Sequence, residues 1–73
     1  MNIMIGSVAK TEEIKEAVLN MEDIKFSYEG KHGLNMIFTC AESDEKAVLR
    51  RVKDELKAMP ELGGLFYNVS VGY

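Results

Sequence analysis

Ile24-Lys25-Phe26-Ser27-Tyr28-Glu29, Gly30-Lys31-His32-Gly33, Leu34-Asn35-Met36-Ile37-Phe38-Thr39-Cys40-Ala41: this stretch decides the fold. Ile24, Phe26 and Tyr28 alternate with Lys25, Ser27 and Glu29, the period of a half-buried strand with one wet side. Gly30–Gly33 reads as a hairpin turn, because its two glycines can supply positive φ. A second strand follows, with Leu34, Met36, Phe38 and Cys40 on one face. Asn35, Ile37, Thr39 and Ala41 line the other. Two adjacent antiparallel strands therefore sit at the centre of the chain.

On the N-terminal side, Asn2–Val8 reads as a short strand with Ile3 and Ile5 on one face and Met4 and Val8 on the other. Thr11 offers an N-cap oxygen, and Glu12 and Glu13 put negative charge at the positive end of a helix dipole. Ile14, Ala17, Val18 and Met21 recur at helical spacing, so the first helix is expected over Thr11–Met21. On the C-terminal side, Ser43 is the expected cap of a second helix, with Asp44 and Glu45 in its first turn. Val48, Val52, Leu56 and Met59 form its stripe, widened by Ala47 and Leu49, and Pro60 stops it near Met59. Gly63-Gly64 connects to a last strand, Leu65–Tyr73, whose odd positions oppose Phe66, Asn68, Ser70 and Gly72.

The order strand–helix–strand–strand–helix–strand is the split βαβ arrangement of an α+β, ferredoxin-like sandwich. The expected sheet is four-stranded and antiparallel, in the order 4-1-3-2, with two helices on one face. Interleaving two right-handed crossovers is expected to set strands one and three at the centre, parallel to each other. The face away from the helices then carries Met4 or Ile5, Ile37 and Phe66 among small polar groups. A surface that apolar calls for a partner. Met4, Ile37 and Phe66 are accordingly the candidate dimer interface.

The chain of 73 residues makes a single domain, 1–73. A domain this small buries only about 60% of its extended surface, and such domains often recruit a disulfide, a metal or a partner subunit. One cysteine, Cys40, excludes an internal disulfide and any multi-cysteine metal cluster, which leaves self-association as the expected staple. A formal charge of −3 argues against a general binder of nucleic acid or anionic membrane. Met1–Val8 lacks a basic leader region and Lys10–Glu16 is strongly charged, so a cytoplasmic location is expected.

No residue set carries catalysis. His32, the single histidine, lies in the hairpin, and Cys40 lies roughly 25 Å away along an extended strand, too far for a nucleophile–base pair. The carboxylate pairs Glu12/Glu13 and Asp44/Glu45 complement helix dipoles, since neighbours in a first turn point about 100° apart. Arg50, Arg51, Lys53 and Lys57 interleave with Asp54 and Glu55, the pattern of a solvated helix face. Neither a catalytic residue, a cofactor nor a metal is expected. Relatives of the same topology fail in turn. Ferredoxins need clustered cysteines, and heavy-metal domains a Cys-x-x-Cys loop where Ala9-Lys10-Thr11 stands. RNA-recognition motifs need aromatic and basic residues on the strand that here offers only Phe38. Acylphosphatase-like sites would want an arginine in the first loop.

One resemblance holds from Ile24 to the last strand. It rests on Met21-Glu22-Asp23-Ile24-Lys25 entering strand two, the Gly30-Lys31-His32-Gly33-Leu34-Asn35 hairpin, and Met59-Pro60-Glu61-Leu62 closing helix two. In these features the chain resembles the "regulator of amino acid metabolism" effector domain of the leucine-responsive transcription regulators, which also exists as stand-alone modules. Here Gly33-Leu34-Asn35 replaces the family's usual aromatic and carboxylate in the hairpin, and Glu61 replaces a glycine after Pro60. The resemblance implies a dimer sealed sheet to sheet, with a small amino-acid-like effector bound between subunits near the hairpin. By position it carries Gly33 and Asn35 as ligand-binding candidates, and geometry adds His32. Two rival readings stand beside it: a small dimeric αβ-barrel enzyme of monooxygenase type, using His32 or Tyr67, and a structural subunit of a larger complex.

Overall fold

A computed structural model describes residues 1–63 and 65–71. Gly64 of the glycine connection, and Gly72 and Tyr73 of the expected last strand, lie outside the described residues. The elements run β1 (Asn2–Ser7), α1 (Thr11–Leu19), β2 (Ser27–His32), β3 (Asn35–Thr39), α2 (Glu45–Lys57), a single 3₁₀ turn (Pro60–Leu62) and β4 (Tyr67–Val71). The strands form one open sheet in the order β2-β3-β1-β4, the expected order taken from the opposite edge.

Every neighbouring pair is antiparallel, and this corrects the expectation of a parallel central pair. Ile3 stands opposite Phe38 and Ile5 opposite Met36. The reason is topological. The parallel partners of each strand–helix–strand unit are separated by one strand from the other unit, so immediate neighbours run in opposite directions.

Element ends differ from the sequence pattern where local hydrogen bonding overrules it. The residue before α1 is Lys10, held at φ 59° with no side-chain cap bond, so Thr11 is the first helical residue and not the cap. The helix closes at Leu19, where Asn20 N–H donates to the Glu16 carbonyl. Asp44, not Ser43, caps α2, and its carboxylate accepts the Ala47 N–H at 3.2 Å. That helix ends at Lys57, and Pro60 opens the separate 3₁₀ turn, where its missing N–H costs nothing. The hairpin is tighter than Gly30–Gly33. His32 pairs with Asn35, leaving a two-residue loop in which Gly33 takes φ +62°. Gly30, at φ +132°, instead serves a register shift between Tyr28 and Gly30 that leaves Glu29 as the extra residue of a bulge. Strand pairing in β2 starts only at Ser27, yet Phe26 upstream is buried in the core all the same.

Directly opposed residues of an antiparallel sheet share a face, and alternation assigns the rest. Ile3, Ile5, Met36 and Phe38 point to one side, into a cluster with Ile14 and Val18 of α1 and Val48, Val52 and Leu56 of α2. Both helices thus bury their apolar stripes against the same strand residues. Phe38 anchors the cluster, with the Phe26 ring edge-on at 6.5 Å and the Tyr28 ring tilted at 5.4 Å. Each such side chain contributes about 1.5–3 kcal/mol on burial, so a domain this small rests on few of them. No helix among the described residues is long and apolar enough to cross a membrane.

Candidate functional site on the open sheet face

The face away from the helices is built from three rungs. Asn2 stands opposite Thr39, Met4 lies between Ile37 and Ser70, and Gly6 lies between Asn35 and Asn68. Two cavities open on it, one at each end.

The first, about 300 Å³, is lined by Asn2, Glu29, His32, Ile37 and Thr39. Ile37 is only 5% exposed although no second layer covers it. It shares the cavity wall with the polar residues Asn2, Glu29, His32 and Thr39. This makes the open face more polar than the strand pattern of Met4, Ile37 and Phe66 implied. Met4 is half-buried beside it.

The second cavity, about 330 Å³, is lined by Gly6, Ser7, Val8, Leu34, Asn35, Phe66 and Asn68. Three of its walls are the most exposed large apolar side chains among the described residues: Phe66 at 90%, Val8 at 74% and Leu34 at 56%. Local structure forces each of them outward. Leu65 and Tyr67 pack against the core on either side of Phe66, so alternation turns Phe66 away. The buried Ser7 hydroxyl donates to the Ala9 carbonyl at 2.6 Å and accepts the Ala9 N–H at 3.3 Å, a local turn that leaves Val8 in solvent. Ser7 N–H also donates to the Leu34 carbonyl at 3.2 Å, which fixes the hairpin loop against the end of β1.

The floor of this cavity depends on a missing side chain. A Cβ at Gly6 would stand 2.5 Å from Asn35 Oδ1, so the Asn35 carboxamide lies over space that only glycine leaves free. Asn68 flanks the same glycine from the other side. The polar side chains that the open face brings to the cavity are the two carboxamides of Asn35 and Asn68, each offering donors and an acceptor. None of the lining residues carries a charge.

The sequence-derived ligand candidates separate in space. His32 and Asn35 are cross-strand partners, but His32 lines the first cavity and Asn35 the second. Gly33 is in the hairpin loop and lines neither. Of the interface candidates, Met4 and Ile37 are cross-strand neighbours, whereas Phe66 belongs to the end cavity. Gly6, Val8, Leu34 and Asn68 were not singled out from sequence. An isolated glycine inside an apolar strand was the available signal, since it marks close approach of another group. Cys40 is buried and free. Among the described residues no group of three or more His, Cys, Asp or Glu side chains is placed to hold a metal.

Comparison with protein-family models, curated proteins and solved structures found no match to this chain.

Proposed function

We propose that this chain is a non-enzymatic, ferredoxin-like module that self-associates through the open face of its sheet and binds a small effector at the resulting interface. One observation carries the reading. Phe66, Val8 and Leu34, the three most exposed large apolar residues, converge with Asn35 on one cavity at the end of that face. An apolar cluster bearing paired carboxamides suits a site completed by a second protomer better than it suits open water. The resemblance to the regulator of amino acid metabolism domain points the same way, to a sheet-to-sheet dimer with an amino-acid-like effector. Asn35 is the carried residue that remains in the cavity; His32 and Gly33 lie outside it.

The αβ-barrel enzyme reading calls on His32 or Tyr67, and these two lie on opposite faces of the sheet, so they would not act together. Tyr67 shares the helix-side face with buried Ser7, while His32 is exposed on the opposite side with Asn35. A structural subunit of a larger complex would use the same apolar cluster without a ligand.

Sedimentation over a wide protein concentration range, run beside a thermal-shift screen of amino acids, tests the proposal. Self-association together with a ligand-dependent rise in Tm that Asn35→Ala abolishes is the expected result. A monomer at every concentration overturns it.

A further inference from the structure

The helix layer carries charge that the open sheet face does not use. Five of the nine Lys and Arg residues lie in α2, while nine of the twelve Asp and Glu residues lie outside it. Lys46, Arg50, Lys53 and Lys57 recur at i, i+4, i+7 and i+11, which places them on one ridge. All four are exposed. With Leu49 and Asp54 they line an open groove of about 440 Å³.

Ion pairing within the protomer leaves this ridge free. Among the described residues the ion pairs are those of Arg51, with Asp23 at 2.6 Å and with Glu55 at 2.9 Å. They neutralise the side of α2 that turns away from the ridge. On α1 the opposite occurs. Lys15 sits 4.2 Å above the Tyr28 ring, turned in toward the sheet. The exposed residues of α1 are Glu12, Glu13, Glu16 and Leu19; Glu12, Glu16 and Leu19 recur at i, i+4 and i+7, with Leu19 37% exposed. One helix thus presents an acidic ridge with an apolar end. Its neighbour presents a basic ridge of the same spacing beside the half-buried Leu49.

We infer that the helix layer is a second self-association surface, in which α1 of one copy lies on α2 of another and α2 on α1. A two-fold axis satisfies both contacts at once, because complementary ridges lie side by side in one layer. A nucleic acid is the poorer occupant. Asp54 stands at the edge of the basic ridge, the groove holds no aromatic side chain for stacking, and the rest of the surface is acidic. The inference is independent of the sheet-face reading, because the two surfaces lie on opposite sides of the molecule.

The test is sedimentation of the full chain at about 50 mM and about 500 mM salt, where screening separates an ionic interface from an apolar one. An ionic helix-layer contact weakens roughly tenfold or more over this range, while association through Phe66 does not. Glu16→Lys and Arg50→Glu are each expected to remove the salt-sensitive component, and the two combined in one chain to restore it. Both positions are exposed, and circular dichroism confirms that each variant is folded. Salt-sensitive association that survives either single charge reversal, failure of the combined variant to recover it, or its absence from the parent protein overturns the inference. Tight binding of an oligonucleotide by a chain that shows no salt-sensitive self-association overturns it as well. If Phe66→Ser abolishes association while Arg50→Glu changes nothing, the sheet face stands and the helix layer falls; the reverse result exchanges their fates.

Discussion

Gly6 and Asn35 face each other across β1 and β3, and the Asn35 carboxamide oxygen occupies the space that a side chain on Gly6 would need. The conflict is with the tip of a side chain rather than with backbone, so Gly6→Ala should fold with Asn35 rotated away. In the parent background the substitution is expected to cost about 1 kcal/mol, the lost local contact outweighing the backbone entropy gained by replacing glycine. With Asn35→Ala already in place the obstruction is gone, and Gly6→Ala becomes neutral or stabilising. Urea unfolding of the four proteins measures the coupling. Additive effects would mean that the two residues do not touch in solution.

Phe38 is the residue on which the core depends most. It is fully buried, central in β3, and ringed by Phe26 and Tyr28. Phe→Ala in such a place costs about 3–5 kcal/mol. That is comparable to the whole stability of many small domains, so Phe38→Ala should be largely unfolded by far-UV circular dichroism at 25 °C. Leu19→Ala, at a partly exposed position on α1, is the control and should shift the urea midpoint little. A folded Phe38→Ala variant would place the core elsewhere.

The Asp23–Arg51 pair ties the segment after α1 to the middle of α2. The hydrogen bond from Arg51 holds the Asp23 carboxyl below its ordinary value of 3.8. The sign follows from linkage. A carboxyl whose pKa falls on folding adds stability above its unfolded pKa and loses it as pH drops through the folded value. Asp23→Asn should therefore lower the urea midpoint at neutral pH, and the difference from the parent should vanish in acid below 3.8. Both groups are at the surface, so the effect is small and shrinks with added salt. A difference that persists unchanged in acid would assign it to something other than this ion pair.

Periodicity made the elements legible, because helix stripes such as Val48, Val52 and Leu56 and strand faces such as Met36 and Phe38 each repeat a local geometry. Element ends were less legible, since they depend on single hydrogen bonds: Asp44 and Ser43 are equally good caps on paper, and only Asp44 makes the bond. The relation of β1 to β3 required following both crossovers together. The bulge at Glu29 was invisible for another reason. Gly30 and Gly33 each take positive φ, but one serves the bulge and the other the turn, and sequence alone does not divide the labour. The end cavity joins residues from β1, the hairpin and β4, whose convergence is a tertiary fact. Asn35 is a candidate only because the family resemblance carries its position, and no pattern in the sequence marks Asn68 beside it.

Phe66 and Ile37 both stood as interface candidates, and their surroundings now separate them. Ile37 is buried within its own protomer and shares a cavity wall with polar residues, among them Glu29. Ile37→Asp therefore sets an unpaired charge beside a carboxylate and should destabilise the protomer itself, by a few kcal/mol where the charge stays unpaired. Phe66 is 90% exposed, so Phe66→Ser removes almost nothing from the fold of one chain. If the sheet face is the seam, Phe66→Ser should leave the urea transition of the dilute protein within about 0.5 kcal/mol of the parent while weakening association at least tenfold. Sedimentation and unfolding of the two variants side by side separate the effects. A Phe66→Ser protein that associates as well as its parent removes the sheet-face proposal, whatever Ile37→Asp does.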